Sequence, residues 1–135
     1  MKLEYIPRDL VSVYVGIKKY IVEVIGTENE NEALLYQIKF QNREIQYADK
    51  DNIVPIPLTP EILKKNGWKK KMYCDWCYYL PIEGNLLYLS KGTGIDGAFS
   101  VSVGQGMSYY VASIKYVHQL QHLLFGLGLN SEFEV

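Results

Sequence analysis

Only one long stretch of this chain repeats its apolar residues with a helical period, and the rest has to be arranged around it. It runs Ile114-Lys115-Tyr116-Val117-His118-Gln119-Leu120-Gln121-His122-Leu123-Leu124-Phe125-Gly126-Leu127. Steps of about 100° per residue bring Tyr116, Val117, Leu120, Leu123, Leu124 and Leu127 to one side. Gln119, His118 and His122 fall on the far side or its flank. Such a stripe has to be buried. What precedes it reads as strand, so the helix, over about residues 115–127, is predicted to close a core by packing on a sheet.

Residues 10–17 and 20–25 read as two strands joined by a turn at Gly16-Ile17-Lys18-Lys19, and 34–40, 44–48 and the short piece 53–56 continue the series. The acidic run 26–32 between them reads as a solvated loop. Short strands recurring about every 8–12 residues predict a small antiparallel barrel, SH3-like, over residues 1–56. Pro55, Pro57 and Pro60 stop the sheet. Thr59 as N-cap, Pro60 in the first turn, Glu61 behind it and Asn66-Gly67 at the end predict a hinge helix over about residues 60–66. Beyond it, 71–80, 85–90, 98–103 and 107–113 read as strands. Phe99-Ser100-Val101-Ser102-Val103 alternates as a sheet with one wet face does. The predicted fold class is α+β: a barrel-like subdomain over 1–56, then a subdomain over 57–135 whose antiparallel sheet is packed by the terminal helix.

The bulk properties exclude several classes of function. A net charge of −1 gives no global field toward nucleic acid or acidic membranes. No apolar run approaches the roughly 20 residues that span a bilayer, and Met1-Lys2-Leu3-Glu4-Tyr5 lacks the pattern of a signal peptide. The expectation is a cytoplasmic protein with no membrane partner. Two cysteines three positions apart make no disulfide framework. Twelve tyrosines suit both half-buried sheet faces and binding surfaces.

Four constellations bear on chemistry. Cys74-Asp75-Trp76-Cys77 with His118 and His122 supplies a zinc ligand set by type, but the pairs are far apart in sequence. The cysteines also fall in an expected strand, pointing to opposite faces. Gly92-Thr93-Gly94-Ile95-Asp96-Gly97 matches a dinucleotide-loop pattern, yet a strand follows where the mechanism needs a helix. Lys64, Lys65, Lys69 and Lys70 surround Trp68, the mixture of cation and aromatic ring that holds single-stranded nucleic acid. Lys71, Tyr73, Tyr79, Tyr109 and Tyr110 form a candidate set for stacking a base and holding phosphate. No metal, cofactor or catalytic set is expected.

Two segments, Pro55-Ile56-Pro57-Leu58-Thr59-Pro60-Glu61-Ile62-Leu63-Lys64-Lys65-Asn66-Gly67-Trp68 and Ile114-Lys115-Tyr116-Val117-His118-Gln119-Leu120-Gln121, resemble a family of small uncharacterised proteins encoded by phages and prophages of gut anaerobes. The resemblance implies an origin but no activity. The expected function is non-enzymatic binding of a partner protein by a phage accessory protein in its bacterial host's cytoplasm. The alternatives are binding or sequestering a nucleotide-type small ligand against host defence, and, third, adapting to nucleic acid.

Overall fold

The computed structural model describes residues 5–30, 33–72, 74, 77–91, 98–104 and 109–135, with the backbone alone for 30 and 109–112. It is a mixed α and β protein of mostly antiparallel sheets with two α-helices. The chain forms two units, one of Met1–Pro57 with Tyr116–Glu132 and the other of Leu58–Lys115 with Phe133–Val135.

In the first unit β1 (Leu10–Val15), β2 (Lys18–Glu30), β3 (Ala33–Lys39), β4 (Ile45–Ala48) and β5 (Ile53–Pro55) form one antiparallel sheet in the order β4-β3-β2-β1-β5. A single 3₁₀ turn, Lys50–Asn52, separates the last two strands. Alternation does what the pleat requires: Val11, Val13, Val22, Val24, Tyr36 and Ile38 are all buried. On the opposite face Glu23 lies across from Lys39. In its described part, Gly26–Glu30, the acidic run is not a loop. Gly26 to Glu30 extends β2 and pairs with β3, after a register shift between Val24 and Gly26. That bulge bends the strand, and Thr27, Glu28 and Asn29 behind it are exposed on both faces, so the composition of a loop is equally that of a strand end with no buried face. Among the described residues no ladder joins β4 to β5, so the barrel closure read from the strand spacing is not seen.

The terminal helix, α2 (Val117–Gly126), belongs to this first unit and packs near β1. This corrects the expected division at residue 56, which gave the helix to the C-terminal sheet. Its apolar face buries Val117, Leu120 and Leu124, but such a face carries no address. Polar contacts supply one: Val117 N–H donates to the Ile56 carbonyl at 2.9 Å, and Gln121 reaches the strand-β1 lead. Gln119 Oε1 accepts from Tyr116 N–H at 3.1 Å and so caps the first turn. At the other end Gly128, at φ +73°, lets Leu129 N–H bond the Leu124 carbonyl at 2.8 Å.

The second unit opens with α1 (Pro60–Lys65), whose Thr59 hydroxyl accepts from Ile62 N–H at 3.3 Å. Then β6 (Lys69–Lys70), β7 (Cys77–Ile82), β8 (Asn85–Lys91), β9 (Phe99–Val103) and β10 (Tyr109–Ile114) form an antiparallel sheet in the order β10-β9-β8-β7-β6. Leu63, Trp68, Tyr78, Leu87, Leu89 and Val101 are among its buried side chains. Phe133–Val135 returns to α1, where the Asn66 side chain exchanges two hydrogen bonds with Glu134 backbone at 2.7 and 2.8 Å. The glycine-rich run 92–97 lies outside the described residues. No helix among the described residues is long and apolar enough to cross a membrane.

Candidate functional site

The segment that leads into β1 makes a tight turn. Asp9 N–H bonds the Ile6 carbonyl at 3.1 Å, and Asp9 Oδ2 accepts from Ile6 N–H at 2.9 Å. Pro7 presets the first corner of this turn, and the second corner falls on Arg8 at φ +79°. A type II turn needs a positive φ there and normally takes glycine. An arginine in that conformation stores on the order of 1 kcal/mol of strain. The turn is pinned from both sides by Arg8 N–H to Val24 O at 2.7 Å and Val24 N–H to Asp9 O at 2.9 Å.

Two side chains of α2 meet this turn. Gln121, 3% exposed, uses both ends of its amide. Its Oε1 accepts from Leu10 N–H at 2.9 Å, while Nε2 donates to the carbonyls of Arg8 at 3.0 Å and Ser131 at 3.1 Å. One residue later, His122 Nε2 lies 2.8 and 2.7 Å from the two Asp9 carboxylate oxygens. Asp9 is 2% exposed, whereas His122 is about a third exposed. The buried carboxylate thus holds a partly solvated imidazole in a fixed orientation and leaves Nδ1 outside that bond. Burial pushes the Asp9 carboxyl above its ordinary 3.8, and the Ile6 N–H and His122 pull the other way without cancelling it.

Around this pair lies a half-open cleft of about 390 Å³, lined by Ile6, Arg8, Asp9, His122, Phe125 and Ser131, with Pro7 and Gln121 completing the wall. Its walls are largely apolar, and Arg8 and His122 are the basic residues among them. A concave apolar site with a few convergent polar groups is the usual form of a small-molecule site. Behind it sits His118, 8% exposed, its ring stacked on Tyr116 with centroids 5.9 Å apart and edge-on to Tyr5 at 5.1 Å. Its Nδ1 is buried without a hydrogen-bond partner. Burial first, and repulsion from His122 second, push this imidazole down to about 4. It is a neutral ring in the core. Periodicity places both histidines on the far side of the apolar stripe or its flank. The helix buries a wider arc than its apolar residues mark, so His118 enters the core and His122 lines the cleft.

No family model, no curated protein and no solved structure matches this chain. What the site does has to be read from its geometry.

The residues singled out from sequence fare unevenly. Trp68 is 3% exposed and unavailable for stacking. It is the residue after a left-handed Gly67 (φ +88°), and its N–H bonds the Leu63 carbonyl at 3.0 Å, which folds the indole onto the end of α1. Lys64, Lys69 and Lys70 are exposed, while Lys65 Nζ donates to the Val135 carbonyl at 3.2 Å. The lysines therefore lie on the surface without the ring meant to accompany them. Of the tyrosine set, Lys71 and Tyr79 each neighbour Tyr88, which the set did not include. Tyr79 faces Tyr88 across β7 and β8, and Lys71 Nζ lies 5.4 Å from the Tyr88 ring centre. Tyr73 and the side chains of Tyr109 and Tyr110 lie outside the described residues. Cys77 opens β7, as the expected strand requires, whereas Cys74 lies in a turn before it, with Lys71 N–H bonded to Cys77 O at 2.8 Å and Cys74 N–H to Lys71 O at 3.2 Å. Neither is in a disulfide, and Cys77 Sγ is 3.2 Å from Ser90 Oγ. Among the described residues no group of three or more His, Cys, Asp or Glu is placed to hold a metal ion.

The sequence reading missed Arg8, Asp9 and Gln121. A signal existed for one of them. Gln121 is spaced four from Val117 and three from Leu124, inside the buried stripe, and an amide there must find backbone partners.

Proposed function

We propose that this is a non-enzymatic binding protein, and that the cleft beside Asp9 and His122 receives a compact ligand with an apolar body and one anionic group, a carboxylate or a phosphate. The observation that carries this reading is the oriented His122 imidazole, held by a buried carboxylate, sharing a largely apolar cleft with an arginine kept in a strained backbone conformation. Strain at Arg8 brings no packing gain of its own, and residues held this way cluster where a ligand is gripped. Phe125, 64% exposed, supplies an aromatic wall to the same cleft. A finer reading of the fold goes with it. The order β4-β3-β2-β1-β5, a 3₁₀ turn before β5 and the bulge that bends β2 support a partly open SH3-like barrel. The resemblance of 55–68 and 114–121 to phage-encoded proteins supports a site that works in the cytoplasm of a bacterial host.

A second reading is favoured by the Lys71, Tyr79 and Tyr88 group on the other sheet, where a base would stack and a phosphate would meet the ammonium. A thermal-shift panel of aryl carboxylates, aryl phosphates and nucleotides tests both. A ligand bound only to the folded chain raises Tm with concentration. The first reading expects the shift to vanish in Arg8→Ser and His122→Gln and to survive in Tyr88→Ala. The reverse pattern moves the site to the second sheet, and a panel without any shift overturns both.

A further inference from the structure

The hairpin between β1 and β2 turns in two residues, Gly16 at φ +65° followed by Ile17. A positive φ at the first corner alone marks a type II′ turn, which asks for glycine there and a small polar residue next. Ile17 meets no such need and is 98% exposed. Behind this tip, register alternates side chains to two faces. Val15, Lys18 and Tyr20 point one way, and Tyr14, Lys19 and Ile21 the other. All four apolar residues in these sets are substantially exposed. The end of the hairpin is therefore apolar on every side, with one tyrosine and one lysine on each face.

We propose that this hairpin inserts its tip into an anionic lipid surface. The layering fits the chemistry of an interface. An aliphatic apex comes first, and the tyrosines lie three residues behind it, about 10 Å at a strand's rise of roughly 3.4 Å per residue. That is the depth to which interfacial elements sink their apolar faces, and rings with a polar tip collect at that level. Lys18 and Lys19 have aliphatic stems that lie along apolar surface while their ammonium groups reach the headgroups. The turn after β3 adds Arg43, exposed and at φ +71°. A cleft of about 400 Å³ at the foot of the hairpin, lined by Lys19, Tyr20, Ile21, Phe40, Gln41 and Asn42, offers further donors to headgroup oxygens. The net charge of −1 gives no hint of this, because the field that matters is local. Pairing with a second copy would bring the lysines of two tips together, and like charges oppose it.

Co-sedimentation with vesicles of phosphatidylglycerol and phosphatidylcholine, against phosphatidylcholine alone, tests the proposal at low salt. Binding to the anionic vesicles alone is expected, weakening as salt rises. Ile17→Asn suits the turn better than isoleucine, so it should leave Tm unchanged or raised while lowering partitioning roughly tenfold. Lys18→Glu with Lys19→Glu should lower it by about twentyfold or more. Absence of binding to anionic vesicles overturns the proposal, as does binding that both variants retain. So does concentration-dependent self-association abolished by Ile17→Asn, which assigns the tip to a second copy.

Discussion

The two units bury different kinds of residue. Among the described residues the buried side chains that are neither aliphatic nor phenylalanine, tyrosine or tryptophan, Asp9, Ser12, His118 and Gln121, lie in the first unit. The second buries apolar residues such as Leu87, Leu89 and Val101, and keeps Ser90, Ser100 and Ser102 on a half-exposed sheet face. A core of the second kind is held by area removed from water, which any residues of similar size and pattern supply. A core of the first kind is held partly by directional bonds that only these residues make, and it tolerates little exchange. Such a core is costly to keep unless the groups it fixes are put to use, which is why the candidate site lies in the first unit.

The comparison breaks first at Gln121. Gln121→Leu keeps the volume but leaves Leu10 N–H and the Arg8 and Ser131 carbonyls without their partner, and the expected cost is about 3–5 kcal/mol in urea unfolding. Ser102→Ala in the second unit should stay within about 0.5 kcal/mol. Equal costs would remove the distinction between the units.

Acid sharpens it next. His118 folds with its imidazole lowered to about 4 from 6.5. Its contribution is therefore whole above about pH 6.5 and is lost as pH falls through 4, on the order of 3 kcal/mol. Asp9 has the opposite sign: its carboxyl is raised, so the cost of its ionisation is present at neutral pH and is relieved as pH falls through the folded value. His118→Phe removes the first effect and leaves the second. Unfolding free energies at pH 7 and pH 4 should show the wild type losing about 3 kcal/mol more than the variant. A constant difference between the two proteins would mean the ring is not held neutral by its surroundings.

The smallest effect is the most discriminating. Arg8→Gly relieves a left-handed arginine but loosens the unfolded chain, so stability should change from nil to a gain of about 1 kcal/mol. Affinity for the cleft's ligand should fall all the same. A variant that folds better and binds as well would leave the strain without a function.

Much of the fold was legible in the chain. Period marked most strands of both sheets and the terminal helix, though β6 went unread and the strand expected over 71–80 begins only at Cys77, and Thr59-Pro60 with Asn66-Gly67 bounded α1. These features are local, and a few neighbouring residues decide them. The acidic stretch after Gly26 misled because a strand end exposed on both faces and a loop share a composition, and only pairing with β3 separates them. Trp68 misled because a buried C-terminal cap and a stacking ring are the same residue to a reader of sequence.

The sequence by itself determined where both helices and most strands form, since backbone geometry and periodicity are properties of short segments. Tertiary structure alone decided that α2 joins the strands at the far end of the chain, and that Asp9 meets His122 across 113 positions. The reason is physical: an apolar stripe satisfies itself on any greasy sheet, whereas a buried amide and a buried carboxylate are satisfied only by particular partners, and those lie far away in sequence.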